Sequence, residues 1–168
     1  MKNYQSDKIR NLALVGHGGC GKTILAEAML YTTKVTNRLG KVEDGNTVSD
    51  FDKEEIARKI SISTSLIPVE WKDYKYNVLD TPGYFDFVGE VSCALRVAGG
   101  AVIVVDASSG VEVGTVKAWN YLSSQKIPRF IFVNNPFSIA PEADLKPDLI
   151  CAVQRTPGGR SRSKSYTH

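Results

Sequence analysis

Eight residues carry the plainest chemistry in this sequence: Gly16-His17-Gly18-Gly19-Cys20-Gly21-Lys22-Thr23. They fit the spacing G-x-x-x-x-G-K-[ST], in which each fixed position has a physical job. Glycines let backbone N–H groups turn inward and approach an anion with no Cβ in the way. Lys22 reaches β- and γ-phosphates as a point charge, and the Thr23 hydroxyl can ligate Mg²⁺. A helix beginning here adds its positive N-terminal end. A second group, Asp80-Thr81-Pro82-Gly83, lies further along. Asp80, at a strand end, can hold Mg²⁺ through water. The Gly83 N–H can meet a γ-phosphate where a side chain would obstruct it. Alone, D-T-P-G reads as a turn; after a phosphate loop and at a strand end, the site reading is the better one.

The surrounding elements position these groups. Ile9-Arg10-Asn11-Leu12-Ala13-Leu14-Val15 predicts a strand leading into the loop, and the run from Ile24 predicts a helix to about Lys34. Residues 35–50 read as a long polar loop, followed by a short helix over 52–59. Alternation from Ile60 to Trp71 and from Tyr74 to Leu79 predicts two strands joined by a turn at Lys72-Asp73. Helices follow over 86–98, with Phe87, Val91, Ala94, Leu95 and Ala98 inward, and over 113–124, with Val116, Trp119 and Leu122 inward. Ala101-Val102-Ile103-Val104-Val105 and Phe130-Ile131-Phe132-Val133 are fully apolar, as strands covered on both faces are. This alternation predicts an α/β fold with a doubly wound, mostly parallel sheet. Ligands of such folds bind at the carboxyl ends of the strands, where Gly16, Asp80 and Asn134 all fall.

The 168 residues suit one domain, and their composition is that of an ordinary globular protein. A net charge of +3 is too small to imply nucleic-acid binding. Two of those three excess charges lie in residues 135–168, a Pro-rich segment ending in a basic Ser-rich stretch. Such a tail is expected to be disordered, with one strand at most over 149–153. Cys20, Cys93 and Cys151 have no metal or redox spacing, which predicts reduced thiols and a cytoplasmic location. Lys22 and the N–H donors beside Cys20 would acidify its thiol. The N-terminus lacks the apolar core of a signal peptide, and the apolar runs are strand-sized, so no membrane span is predicted.

GHGGCGKT, the segment DFDKEEIARKISIS from Asp50 to Ser63, DTPGYFDF and RVAGGAVIVVDASSGVE together resemble the GTP-binding domain of bacterial elongation factor G, and more closely its elongation-factor-G-like paralogues. The resemblance covers about residues 6–134 and implies a P-loop translational GTPase that uses GTP and Mg²⁺ on the ribosome. It implies that Gly16, His17, Gly18, Gly19, Cys20, Gly21, Lys22 and Thr23 bind the nucleotide with Asp80, Gly83 and Asn134. It also implies that Thr23, Ser61 and Asp80 serve the metal. Ser61 stands where the family usually has a threonine and keeps its hydroxyl. Tyr84 stands where the family usually has the histidine that positions the attacking water. A phenol can hydrogen-bond that water but lacks an imidazolium's charge, so binding is expected to survive better than hydrolysis.

The family pattern N-K-x-D becomes Asn134-Asn135-Pro136-Phe137. The expected organisation is therefore an incomplete GTP-binding domain over 1–134 and a divergent tail over 135–168. A change inside one motif predicts a truncated or frame-shifted copy, with the sheet incomplete at its C-terminal edge and Phe130–Val133 an exposed strand. The alternative to a GTPase is a non-hydrolysing nucleotide-binding remnant that has lost guanine specificity and translocation. A different P-loop class, such as an ATPase, fits D-T-P-G and the 50–63 segment less well.

Overall fold

The computed structural model of the chain describes residues 3–135 and 151–154. Its strands are β1 (Ile9–Gly16), β2 (Ser65–Trp71), β3 (Tyr74–Asp80), β4 (Gly100–Asp106), β5 (Arg129–Asn134) and β6 (Cys151–Gln154). Its α-helices are α1 (Lys22–Thr32), α2 (Lys53–Arg58), α3 (Val88–Val97) and α4 (Val113–Ser124). The strands form one sheet in the order β2-β3-β1-β4-β5-β6. β3, β1, β4 and β5 run parallel, while β2 and β6 pair antiparallel to their neighbours.

The apolar strands supply both faces because successive side chains point to opposite sides. Ala101, Ile103 and Val105 of β4 pack with Ala94 and Leu95 of α3 and with Ala118 and Leu122 of α4. Val102 and Val104 pack on the other face with Ala26 and Leu30 of α1. The sheet is thus doubly wound. α1 covers the second face mainly over β1 to β3, and Phe130 on β5 stays 39% exposed.

Strand order places the site. From β1 the chain moves out to β2 and β3, then crosses to β4 on the other flank of β1. That reversal opens a crevice at the carboxyl end of β1, the usual ligand position in open α/β sheets. Register puts Leu14 beside Asp80, Gly16 beside Val104 and Asp106 beside Asn134. Gly16, Asp80 and Asn134 therefore share one edge, as expected.

Several expectations are corrected. Pairing of β2 starts at Ser65 and not at Ile60, because the Glu55 carboxylate captures the N–H groups of Ile62 and Ser63 at 3.0 and 3.1 Å. Donors bound to a carboxylate cannot join a strand ladder. Val116 is exposed, since α4 buries the stripe Thr115, Ala118, Leu122 and Val116 lies about 100° round the helix from Thr115. Trp119, by contrast, faces inward as expected: it packs half-buried against the core cluster of Ala118 and Leu122, with the Arg129 guanidinium over its ring at 3.9 Å. The strand through Phe130–Val133 is no free edge, because β6 pairs along it from Phe132 to Arg129. Phe137 and the remaining tail, expected to be disordered, lie outside the described residues. No helix among the described residues is long and apolar enough to cross a membrane.

Candidate functional site

The loop from Gly16 to Gly21 connects the end of β1 to α1. Gly21 has φ +95°, a left-handed conformation that suits glycine, and it precedes α1 without any side-chain cap. The first N–H groups of α1 are therefore left to an external acceptor. The Lys22 ammonium folds back on the loop and donates to the carbonyls of His17 at 2.7 Å and Gly16 at 3.4 Å. Gly83 approaches Lys22 Nζ and the backbone of Gly18 so closely that a Cβ there would collide with both. Lys22 and the two glycines thus face one another across the loop.

Beside them runs a chain of hydroxyls and carboxylates. Thr23 Oγ1 donates to Asp80 Oδ2 at 2.8 Å, and it lies 3.2 Å from Ser61 Oγ. Ser61 Oγ donates to Asp50 Oδ1 at 2.8 Å. Asp80 is 1% exposed, and its second oxygen, Oδ1, is buried with no hydrogen-bond partner. Burial pushes the Asp80 carboxyl up to about 6, against the pull of the Thr23 hydroxyl and the Lys22 charge. Burial likewise raises Asp50. A buried carboxylate oxygen without a partner costs free energy. With the Thr23 hydroxyl on the other Asp80 oxygen and the Ser61 hydroxyl 3.2 Å from Thr23, the three side chains offer a hard, all-oxygen donor set. Thr23, Ser61 and Asp80 therefore fit a small divalent cation. Among the described residues, no cluster of three His, Cys, Asp or Glu offers another metal position.

Two buried carboxylates hold the segments that bring Ser61 here. Glu27 on α1 accepts from Gly40 N at 3.1 Å and from Val48 N at 2.5 Å, pinning the long loop. Glu55 accepts from Asp52 N at 3.2 Å in a capping box for α2, and its other oxygen binds Ile62 and Ser63. Sequence reasoning missed Asp50, Glu27 and Glu55. Neither the helical patterns around Glu27 and Glu55 nor the polar loop ending at Asp50 shows whether these carboxylates meet water or buried donors.

The remaining expected residues divide. The Tyr84 ring packs against Gly18 and, 44% exposed, borders the same recess as Gly83. Gly18 and Gly19 line that recess, which has a volume of about 230 Å³. The His17 ring turns away toward α4. Its Nδ1 accepts from Gly114 N at 3.3 Å and its Nε2 lies 3.5 Å from Glu112. Its carbonyl accepts from Lys22 within the loop. Cys20 is 2% exposed within the core beneath the loop, and burial pushes its thiol up despite the nearby Lys22 charge. The expected acidified thiol is thus corrected: loss of solvation outweighs the cation. Asn134 Nδ2 donates to the Cys20 carbonyl at 3.1 Å and buttresses the loop from behind. A larger cavity, about 430 Å³, lies between α3 and α4. Val88, Val91, Leu95 and Tyr121 make it largely apolar, and it lacks Lys22, Thr23 and Asp80.

Residues 7–136 match the model of the elongation factor Tu GTP binding domain. Mitochondrial ribosome-releasing factor 2 of Rattus norvegicus is 46% identical over 127 residues, which cover 76% of this chain and 16% of that protein. The Danio rerio protein of the same name is 45% identical over 132 residues, covering 79% of this chain and 17% of its own. A crystal structure of a Thermus thermophilus protein superposes with a TM-score of 0.73 at 42% identity, over 75% of this chain and 19% of that one. Translation elongation factor SelB from Methanococcus maripaludis, solved with the GTP analogue GppNHp, shares the fold with a TM-score of 0.55 at 23% identity, over 78% of this chain and 22% of that one. The chain spans less than a quarter of the length of these relatives.

Proposed function

The chain belongs to the elongation factor Tu GTP-binding domain family, and on that premise we propose that it binds GTP with Mg²⁺ as the nucleotide-binding part of an elongation-factor-G-like translational GTPase. The observation that carries this reading is the convergence of Lys22, Thr23 and Ser61 on one recess, with buried Asp80 bonded to Thr23 and its Oδ1 unpartnered. In this reading Lys22 and the N–H groups of the loop and α1 neutralise and orient the phosphates. Thr23, Ser61 and Asp80 would hold the cation, which would supply positive charge against the phosphates. Gly83 presents backbone to the terminal phosphate, and the Tyr84 hydroxyl orients the attacking water.

The relatives' names supply the proposed partner, the ribosome. A reducing, cytoplasmic setting is proposed with it, supported by the free thiols of Cys20 and Cys93. A second reading, nucleotide binding without turnover or guanine selectivity, is favoured by Tyr84 and by Asn135, whose amide is turned onto Asp106 at 2.6 Å. GTP binding in Mg²⁺, followed by single-turnover hydrolysis with and without ribosomes, tests both. Binding with ribosome-stimulated hydrolysis supports the GTPase reading, and binding with no hydrolysis supports the second. No GTP binding in Mg²⁺ overturns both.

A further inference from the structure

We propose that Lys59 is a second cation of the recess, addressing the terminal phosphate and making the site prefer a nucleoside triphosphate over a diphosphate. This rests on the nucleotide reading above and assigns a residue that reading does not use. Lys59 closes α2 in a left-handed conformation, φ +57°, with its N–H on the Glu55 carbonyl. Lys34, Lys72 and Lys126 also have left-handed φ values, so the conformation alone marks nothing. Of the four, only Lys59 lines the recess that holds Lys22. Its ammonium has no hydrogen-bond or ion-pair partner among the described residues, whereas that of Lys22 is committed to loop carbonyls.

Charge and position argue for the terminal phosphate. The ionisable residues of the recess other than Tyr84 are Lys22, Lys59, Glu43 and Asp50. Without Lys59 the lining is net acidic, a poor surface for a triphosphate. Lys59 stands two residues before Ser61, whose Oγ lies 3.2 Å from Thr23 Oγ1, and it lines the same recess as Gly18, Lys22 and Gly83. In the nucleotide reading above, Gly83 meets the terminal phosphate, which puts that phosphate in the recess Lys59 also lines. The added γ-phosphate brings extra negative charge there and not along the loop. Lys59 is solvent-exposed, so the discrimination it supplies is modest and screened by salt.

The test titrates fluorescent nucleoside tri- and diphosphates into the 168-residue chain with Mg²⁺, using wild type, Lys59→Gln, Lys59→Gly and Lys53→Gln. Both Lys59 variants should weaken the triphosphate by about fivefold and leave the diphosphate within about twofold, an effect that shrinks in high salt. Lys53→Gln, an equal charge change outside the recess, should alter neither. Lys59→Gly also relieves the left-handed residue, so an undiminished melting temperature shows that the loss is not unfolding. An unchanged tri- to diphosphate ratio, or the same shift from Lys53→Gln, overturns the assignment of Lys59 and leaves the nucleotide reading standing. A wild-type chain that binds neither nucleotide overturns the nucleotide reading, and the role of Lys59 with it.

Discussion

The Thr23 hydroxyl reaches across from the first residues of α1 to Asp80 Oδ2 at 2.8 Å, joining the phosphate loop to the end of β3. The contact spans 57 residues of sequence and leaves the other Asp80 oxygen buried without a partner. The strain of that arrangement is electrostatic, and pH should expose it. Asp80 has a carboxyl raised from 3.8 to about 6, mainly by burial. Between about pH 4 and 6 the unfolded chain releases a proton that the folded chain keeps. Metal-free folding stability should therefore fall as pH rises through that window and level off above it, by up to ~3 kcal/mol. Asp50, also raised by burial, acts in the same direction. Urea unfolding across this range should show the decline, and Asp80→Asn should flatten it. Stability that rises between pH 4 and 6 in the wild type, with no change in Asp80→Asn, would contradict the assignment.

Glu27 should prove to be the anchor of the long loop. It is 1% exposed, and both its oxygens are used, on Gly40 and Val48. Glu27→Ala removes both acceptors and should cost about 2–4 kcal/mol, with faster amide exchange at Gly40 and Val48. Glu27→Gln, which keeps one acceptor oxygen, should cost roughly half as much. Exchange rates at these two amides that match wild type in Glu27→Ala would show that the loop is held elsewhere.

This anchor marks the limit of what the sequence discloses. The phosphate loop was legible because its glycines, Lys22 and Thr23 act at fixed spacing, each through backbone or a single side chain. The parallel sheet was legible because strands covered on both faces, such as Gly100–Asp106, need uninterrupted apolar residues. Glu27, Asp50 and Glu55 were not legible, because the donors they hold, Gly40 and Val48, Ser61, and Ile62 and Ser63, come from segments that only the folded chain brings near. Cys20 misled for a related reason. Its neighbours along the chain suggest a charged environment, while its neighbours in space are the core side chains beneath the loop. Strand β6 depends on pairing with β5, a contact that no local pattern announces.

Tyr84 should limit hydrolysis more than binding. Its ring rests against Gly18 beside the recess, where a phenol can hydrogen-bond a water but cannot supply imidazolium charge. Tyr84→His should raise ribosome-stimulated GTP hydrolysis by tenfold or more, on the scale of roughly 10²–10⁴ for a positioned acid–base group, and change GTP affinity by less than about threefold. An unchanged rate in a variant shown to bind both GTP and ribosomes would remove Tyr84 from the mechanism.

Base selectivity should be weak even where phosphate binding is strong. At the end of β5 the Asn134 amide supports the Cys20 carbonyl, and the Asn135 amide lies on Asp106 with φ +53°. Asp106 itself is drawn down by the Ser108 hydroxyl and by Asn135, so its carboxylate is already satisfied by protein donors. Phe137, which the resemblance aligns with the family's base-reading aspartate, has a side chain with no acceptor for guanine N1–H and N2–H. A site reading a base through such bonds discriminates by about 10⁴–10⁵, and without them GTP and ATP should bind within about tenfold of each other. Competition of the two nucleotides against one fluorescent triphosphate measures this. A thousandfold preference for GTP would mean that another residue reads the base.

Lys22, Thr23, Ser61 and Asp80 should act together as one phosphate and metal site, and every other role assigned here depends on that. Equilibrium binding of a fluorescent GTP analogue to the whole chain, with Mg²⁺ and with chelator, in wild type and Lys22→Ala, tests it most directly. A charge-assisted hydrogen bond is worth roughly 1.5–3 kcal/mol, so Lys22→Ala should weaken binding by at least tenfold, and chelation should weaken the wild type. Equal affinity in wild type and Lys22→Ala, indifferent to Mg²⁺, would contradict the account.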